Sequence, residues 1–344
     1  MATLYVTEPG SVVEKEYDRI IITLHNEVLE AIPIRKLGSV VLLGNIGITT
    51  SAINMLLSHG VNLHFLSRSG KILGVLDSYM KPETQFIPKQ FALTQSESFR
   101  LSFSKQVVSG KLSNYEVFLR RLLRNRSSIF DDLEQKEADR IIHSPDLMDE
   151  IKEKVNHAKT IDEVMGFEGY ASKEYFNVYF NAFSFTKEMR IKKRQKRPPK
   201  DPVNSMLSLG YTLLSQSVLS AIVISQLDPF LGFFHTNKPG RPSLALDLME
   251  EFRPVIVDSL VLTLVNKGII KQKDFIRDQN GAMRFGKRGF KVFISQYQKR
   301  IDTQTKYKGI GKKVSYRMIF ESQARSLLEI IEGSESVYLP YQWK

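Results

Sequence analysis

The hydrophobic pattern of the chain changes near residue 80, and this change limits the possible fold more than any other feature. Before it, short apolar runs alternate with turns such as Pro9-Gly10, which is typical of strands and hairpins. After it, apolar residues recur at helical spacing. The prolines Pro82 and Pro88 mark the transition. We therefore predict an α+β protein with a small N-terminal β-rich domain (1–78), a linker (79–89) and a larger all-α domain (90–344).

The chain is basic and contains no cysteine. Of its 344 residues, 49 are Lys or Arg and 37 are Asp or Glu, which gives a formal net charge of +12. Such an excess indicates an anionic partner, most simply nucleic acid. The absence of cysteine excludes disulfides and thiolate metal sites and is compatible with a reducing cytoplasm. We find no secretory signal, no basic amphipathic anchor and no apolar run long enough to cross a membrane, so we expect a cytoplasmic protein without a membrane partner.

Residues 228–254 combine an imidazole, a basic Gly/Pro loop and an acidic helix. Ser243 is the expected N-cap of that helix. Asp247 and Glu250 are three residues apart, so their carboxylates are neighbours on one face. A magnesium or manganese ion would relieve their repulsion, and His235 could add a nitrogen ligand. The alternative is a solvated acidic face beside a histidine without a role, and the spacing alone does not decide between the two.

A further acidic residue, Glu168, lies in a helical pattern between Gly166 and Gly169. Glycine weakens a helix by up to ~1 kcal/mol relative to alanine, so two glycines here indicate close packing or the close approach of another group. The alternative is a helix-packing notch with an exposed glutamate.

Two basic segments, 187–200 and 284–317, flank the acidic helix in the sequence. Such runs are often solvated surface, but in a basic chain they favour contact with a phosphate backbone, which requires charge rather than base reading. In the first segment, three residues are predicted to contact nucleic acid: Lys193, Arg194 and Arg197. Lys238 and Arg241, on the loop beside His235, are further candidates for phosphate contact.

Four segments, taken together and in order, resemble a known family. They are GFEGYASKEYF from Gly166, NSMLSLGY from Asn204, LDPFLGFFH from Leu227 and GRPSLALDLMEEFRP from Gly240. With these motifs the chain resembles CRISPR-associated protein one, the integrase and endonuclease of the CRISPR adaptation module, over nearly its whole length. The resemblance implies a β-domain used for dimerisation and packing, and a helical domain that is catalytic.

The resemblance also implies a set of site residues. Glu168, His235 and Glu250 would bind the metal ion, Mg²⁺ or Mn²⁺. Asp247 would be an adjacent supporting acid, and all four residues are expected to be catalytic. The family often has aspartate at the position of Glu250, so it stays open whether Asp247 or Glu250 is the direct third ligand.

The reaction and partners that the resemblance implies are specific. The 3′-hydroxyl of a captured DNA fragment attacks a phosphodiester at the edge of a CRISPR repeat, which inserts the fragment into the array. The expected partners are double-stranded DNA, as fragment donor and as repeat, a second copy of the chain in a homodimer, and a small second CRISPR-associated adaptation protein that bridges two dimers.

Two other functions remain open from the sequence. One is a general metal-dependent DNA nuclease that uses water as the nucleophile and has no integrase activity. The other is a non-catalytic nucleic-acid-binding scaffold, in which the acidic residues only maintain structure.

Overall fold

The strand pattern of the N-terminal part corresponds to two four-stranded sheets in the computed structural model, which describes residues 2–67, 72–77, 86–124, 135–183, 194–195, 198–279 and 281–343. The elements are β1 (Ala2–Val6), β2 (Val12–Glu16), β3 (Arg19–Leu24), β4 (Glu27–Pro33), β5 (Leu37–Leu43), β6 (Gly47–Ile48), α1 (Thr50–Ser58), β7 (Asn62–Leu66) and β8 (Ile72–Leu76). The sheet orders are β1-β5-β7-β8 and β4-β3-β2-β6. Hairpins of the predicted kind are present, since β3 pairs with β4 and β7 with β8 as antiparallel neighbours.

The remainder is dominated by helices, as predicted. They are α2 (Phe86–Gln95), α3 (Glu97–Arg124), α4 (Gln135–Ile142), α5 (Ser144–His157), α6 (Ile161–Asn181), α7 (Pro202–Ile224), α8 (Ser243–Met249), α9 (Ser259–Asn266), α10 (Lys287–Asp302) and α11 (Tyr316–Glu332). This part also carries two short antiparallel hairpins, β9 (Phe275–Arg277) with β10 (Met283–Phe285) and β11 (Gln304–Tyr307) with β12 (Lys312–Ser315). The α+β class is confirmed, with the qualification that the larger part is not purely helical.

Helix α2 begins within the segment predicted as a linker. Pro88 lies in its first turn, where a missing backbone N–H removes no helical hydrogen bond. Gln90 is fully buried, and its side chain donates to Asp228 O at 2.9 Å and to Leu231 O at 3.0 Å. The helical part therefore starts at Phe86, and α2 fixes the beginning of the loop that carries His235. The predicted linker residues before Phe86 lie outside the described residues.

The acidic helix continues past Pro254 instead of ending there. After α8 the chain forms a 3₁₀ turn (Glu250–Phe252) and a π-helix (Arg253–Asp258), which leads directly into α9. Proline cannot supply the N–H of an α-helical hydrogen bond and crowds the preceding turn, so the wider π-turn accommodates it. Pro254 thus changes the hydrogen-bonding pattern of the helix without breaking it.

The N-cap of α8 also differs from the prediction. Pro242 occupies the cap position, and Ser243 is the first helical residue. Ser243 is fully buried, and its hydroxyl donates to Thr236 O at 3.1 Å. This serine therefore ties the loop after His235 to the start of α8.

Helix α7 is the central apolar helix of the larger part. Asp201 is its N-cap residue, and Asp201 Oδ1 accepts a hydrogen bond from Asn204 N at 2.8 Å. With 23 residues and a mean hydropathy of 1.6 in its most apolar window, α7 is long and apolar enough to cross a membrane, contrary to the expectation from sequence. More than half of that window is buried inside the fold, where α7 packs against α8 and α11, as is usual for a core helix.

Candidate active site

A buried aspartate shapes the loop that carries His235. Asp247 Oδ2 accepts hydrogen bonds from Phe233 N at 2.7 Å and Phe234 N at 3.0 Å. Asp247 Oδ1 accepts from His235 N at 2.8 Å and contacts His235 Nδ1 at 2.7 Å. Since the carboxylate oxygen accepts, Nδ1 is the protonated ring nitrogen, and Nε2 is left for a ligand. Such a carboxylate–histidine pair commonly orients a metal-binding imidazole.

The tight approach of this loop to α8 depends on Gly232. A Cβ atom at this position would lie 2.7 Å from the Ser243 backbone carbon and 2.9 Å from Asp247 Oδ2. Neither neighbour can move without breaking the contacts that hold His235. The glycine of the LDPFLGFFH segment is therefore required for the geometry of the site.

The acidic side of α8 and its following turn is buried, so the alternative of a solvated acidic face is wrong. Asp247, Glu250 and Glu251 are exposed by 0, 2 and 0% respectively. Each of the three carboxyl groups has a different set of partners. Those of Asp247 are the backbone and imidazole of the His235 loop. Burial of three carboxyl groups requires that each be compensated by donors or by positive charge.

Glu250 shares a buried cation with Glu168. Lys111, on α3, is 1% exposed, and its Nζ contacts Glu168 Oε1 and lies 2.7 Å from Glu250 Oε2. The geometry of the second contact is not that of a hydrogen bond, and among the described residues Glu250 Oε2 has no hydrogen-bond donor. Ser172 Oγ donates to Glu168 Oε1 at 2.8 Å. Helices α3 and α6 and the 3₁₀ turn after α8 thus bring two carboxylates to one positive centre.

The charges in this cluster stabilise one another. Burial alone would raise the pKa of the Glu250 carboxyl, but Arg253, Lys111 and His235 together lower it to about 2. Burial opposes ionisation of Glu168 as well, yet Lys111 holds the pKa of Glu168 below its usual value. Burial would lower the pKa of Lys111, and the two glutamates instead raise it. The cluster is therefore two carboxylates and one ammonium in their charged forms.

Arg253 extends the cluster toward α7. Its Nη2 lies 3.2 Å from Glu250 Oε1, and its guanidinium lies over the Tyr211 ring at 4.9 Å. Tyr211 O–H donates to Asp258 Oδ1 at 2.6 Å. Burial raises the pKa of the Asp258 carboxyl to about 6, although the hydrogen bonds from Tyr211 and Tyr175 act in the opposite direction. Arg253 and Asp258 thus hold the motif tyrosine of α7 between them.

Glu251 faces the opposite side of the same turn and anchors the C-terminal strap, defined as residues 338–343. Its Oε1 accepts from Tyr338 O–H at 2.8 Å, and its Oε2 accepts from Tyr341 N at 2.5 Å. Asn114 of α3 donates to Glu251 O at 2.7 Å and Tyr341 O at 2.9 Å and accepts from Trp343 N at 2.7 Å. Burial raises the pKa of Glu251 to about 8. The strap therefore braces the turn that carries Glu250.

The donor set fits a divalent cation in part. Two carboxylates and an imidazole are the oxygen and nitrogen ligands that Mg²⁺ and Mn²⁺ accept. The ammonium of Lys111 is a stand-in cation between Glu168 and Glu250. In the parts of the chain that the structure describes, however, no group of three His, Asp or Glu side chains is already close enough to hold a metal ion. Metal binding by Glu168, Glu250 and His235 together would therefore require these side chains to rearrange.

The residues predicted to contact nucleic acid differ in their surroundings. Lys193 and Arg197 fall outside the described residues. Arg194 is partly buried, donates to Asn204 Oδ1 at 2.8 Å and lies over the Tyr211 ring at 5.6 Å. Two further predicted contacts, Lys238 and Arg241, lie on the exposed loop between His235 and α8.

The two glycines beside Glu168 do not form a packing notch. No described atom lies within 4 Å of a Cβ built at Gly166 or at Gly169. Of the two interpretations of these glycines, close packing is therefore not found among the residues that the structure describes. Room for the approach of another group beside Glu168 is consistent with the structure.

Sequence reasoning missed Lys111 and Arg253. Arg253 belongs to the EEFRP segment already singled out, but it received no role. Lys111 had a visible signal, since it lies four residues after the buried Val107 and four before the buried Tyr115, within the apolar stripe of α3. A lysine in such a stripe must be paired with negative charge.

The sequence and the fold are similar to those of known proteins. The profile of the family described as CRISPR associated protein Cas1 matches residues 4–299. A curated relative from Chlorobaculum tepidum, named CRISPR-associated endonuclease Cas1 1, is 31% identical over 99% of this chain and 98% of its own. The solved structure of a CAS1 protein from Thermotoga maritima has a TM-score of 0.76 at 26% identity and covers 98% of both chains. A chain of a partial Cas6-RT-Cas1–Cas2 complex has a TM-score of 0.83 at 22% identity, over 100% of this chain and 99% of that one, which shows a shared fold.

Proposed function

Because the chain belongs to the Cas1 family of CRISPR-associated proteins, we propose that it is a metal-dependent DNA integrase and endonuclease of CRISPR adaptation. The curated relative described above is named an endonuclease, which supports action on phosphodiester bonds. The observation that carries the proposal is the convergence of Glu168 and Glu250 on one buried positive centre beside His235.

The proposed metal ligands are Glu168, His235 Nε2 and Glu250. Asp247 is not proposed as a direct ligand, because its two oxygens already accept from the backbone and imidazole of the His235 loop. It orients His235 instead. When bound, Mg²⁺ or Mn²⁺ would polarise the phosphate and lower the pKa of the attacking hydroxyl.

The proposed reaction exchanges one phosphodiester for another. The 3′-oxygen of a captured fragment forms a bond to the phosphorus at the edge of the repeat, and the bond from that phosphorus to the repeat's own 3′-oxygen breaks. The hydroxyl proton of the fragment is released, and the departing oxygen takes up a proton. Arg253 would support this step by holding Glu250 in its ionised form, through the 3.2 Å contact between Arg253 Nη2 and Glu250 Oε1.

The basic residues are proposed to hold the DNA backbone near this centre. Lys238 and Arg241 lie on the loop next to His235, so their charges are available to phosphates close to the reaction. Arg194 would act from within the fold, through its charge next to Tyr211. Lys193 and Arg197 keep their predicted role as contacts on the neighbouring segment.

The proposed assembly is a homodimer joined to a second CRISPR-associated protein. A product with two junctions requires two active sites, and one chain supplies one. The partial Cas6-RT-Cas1–Cas2 complex contains a chain of the same fold, which supports a partner of the Cas2 type.

An integration assay tests the proposal. A supercoiled plasmid with a CRISPR repeat is incubated with a short duplex donor, Mn²⁺ and the Cas2-type partner. We expect the wild type to join donor to plasmid, and His235→Ala and Glu250→Ala to lose joining. Equal joining by all three proteins would contradict the proposed site.

The relative's name also supports a plain nuclease as a second function. A donor that ends in a 3′-deoxynucleotide separates the two. It cannot attack, so an integrase gives no joined product, whereas hydrolysis by water is unchanged.

A further inference from the structure

The two carboxylates proposed to bind metal already have a cation between them. Lys111 Nζ contacts Glu168 Oε1 and lies 2.7 Å from Glu250 Oε2, and only 1% of Lys111 is exposed. These are oxygens on the two residues from different helices that a metal ion would have to reach. The ammonium therefore competes for the carboxylate pair.

The buried ammonium and the two carboxylates stabilise one another's charges. Removing one partner from a buried ion pair leaves an uncompensated buried charge, which strongly destabilises a protein. In the metal-free protein, Lys111 neutralises part of the repulsion between Glu168 and Glu250. It also fixes their separation, because each is held to the same nitrogen.

A divalent ion at the same position would meet the ammonium as a like charge. Both cations cannot lie within contact distance of the same oxygens in a buried site without strong repulsion. Apart from the 2.7 Å contact with Lys111, Glu250 Oε2 has no hydrogen-bond donor among the described residues, so a new cation at this oxygen has only the ammonium to displace. The Tyr115 ring, 5.4 Å from Nζ, offers the lysine a second cation-binding position.

We propose that Lys111 is an internal counter-cation that occupies the Glu168–Glu250 pair in the metal-free protein and that a divalent ion displaces. The inference rests on the proposed metal-dependent function. It assigns Lys111 a positioning role. The ammonium holds the two carboxylates close to each other in the metal-free protein, which stabilises that form and weakens its affinity for metal.

The test compares Mn²⁺ binding by wild type and Lys111→Met, measured by electron paramagnetic resonance titration of free Mn²⁺. Methionine matches the length of the lysine stem and carries no charge. We expect Lys111→Met to bind Mn²⁺ at least tenfold more tightly and to show a larger Mn²⁺-dependent rise in Tm. Its Tm without metal should be lower than that of wild type. Lys111→Arg, which keeps the charge, should keep the weaker affinity.

Lys105→Met is the matched control. Lys105 lies on the same helix, and its Nζ donates to Asn156 O at 3.0 Å instead of to a carboxylate. This variant should bind Mn²⁺ as the wild type does. Equal or weaker Mn²⁺ binding by Lys111→Met than by wild type would overturn the inference.

Two further outcomes keep the inference separate from the proposed function. If the wild type shows no saturable Mn²⁺ binding that Glu250→Gln removes, the metal-dependent function itself fails. If Lys111→Met is unfolded without metal, recovery of the folded state on addition of Mn²⁺ supports the inference, and failure to recover at saturating Mn²⁺ overturns it.

Discussion

Glu250 and Glu251 are adjacent, equally buried and chemically identical, yet their surroundings differ completely. Glu250 faces Lys111 and Arg253, and its pKa falls to about 2. Glu251 faces the C-terminal strap, whose donors are an uncharged hydroxyl and a backbone N–H, and its pKa rises to about 8. Burial favours the neutral form of both carboxyl groups, so the partners alone decide the outcome. One turn therefore presents a charged carboxylate to the site and a nearly neutral one to the strap.

The most direct way to test this difference is to remove the charge from each residue in turn. We expect Glu250→Gln to lower DNA integration at least about 100-fold, because the amide is a poor metal ligand. Glu251→Gln should retain most activity, since Glu251 does not face Lys111. The rates are measured in the plasmid integration assay, with DNA binding checked by gel shift. Comparable losses of integration activity in both variants would mean that Glu250 and Glu251 do not have different roles.

The strap side can be weakened without changing a carboxylate. Asn114→Ala removes three hydrogen bonds to the strap and to Glu251 O, so we expect the free energy of unfolding to fall by about 3 kcal/mol. Trp343 is the only tryptophan in the sequence and lies in the strap, so its fluorescence reports the strap directly. Its emission should shift at lower urea concentration than far-ultraviolet circular dichroism. The exposed Asn177→Ala on α6 is the control and should leave both transitions unchanged.

The pH dependence of stability sharpens the comparison further. Because the pKa of Glu251 rises from 4.5 to about 8 on folding, the folded state keeps a proton that the unfolded chain releases. Stability contributed by this group is therefore present below pH 4.5 and is lost as pH rises toward 8. Asp258 acts in the same direction but only up to about pH 6. Between pH 6.5 and 8 we expect wild-type stability to fall by about 2 kcal/mol on account of Glu251.

Urea unfolding at several pH values checks this expectation, with Glu251→Gln as the comparison. The variant has no proton to lose at this position, so its stability should be nearly constant between pH 6.5 and 8. An equal slope in wild type and variant would show that Glu251 is already ionised in the folded protein.

The smallest expected effect concerns α6, whose surface at Gly169 is exposed next to Glu168. Gly169→Ala should raise the stability of the protein by ~0.5–1 kcal/mol, since alanine favours the helix and no described atom obstructs its methyl group. If DNA approaches this face, the same change should weaken DNA binding. Thermal unfolding and fluorescence anisotropy with a duplex measure the two effects. A gain in stability with unchanged DNA affinity would show that DNA does not contact α6 at Gly169.

The sequence allowed the β-rich and helical parts to be predicted because strands and helices differ in the period of their apolar residues. It also located the loop and acidic helix that form the site, since glycines, prolines and acidic residues mark them. It could not predict the burial of Glu250 and Glu251. Their cover comes from α3 and the strap, which are distant in the sequence, and the helical period places both residues opposite the apolar side.

The partners of Lys111 could not be predicted from the sequence either. Its position in an apolar stripe indicates a charged partner, but not which one. Glu168 is 57 residues away and Glu250 is on another helix, so only the packing of α3 against α6 and the 3₁₀ turn identifies them. Residues 184–193, which include Lys193, lie outside the described part of the chain, so the predicted DNA contact there stays a prediction.

The π-helix after Glu250 has a consequence for evolutionary change in this protein. Residues five apart point about 140° away from each other on an α-helix, given 100° per residue. In the wider π-turn, Arg253 and Asp258 instead both meet Tyr211. A substitution that restored ordinary α-helical winding without changing the length of this segment would therefore turn one of them away from α7. The wider turn and the five-residue spacing should accordingly occur together among functional homologues, while changes in length accumulate in the exposed loop before α8.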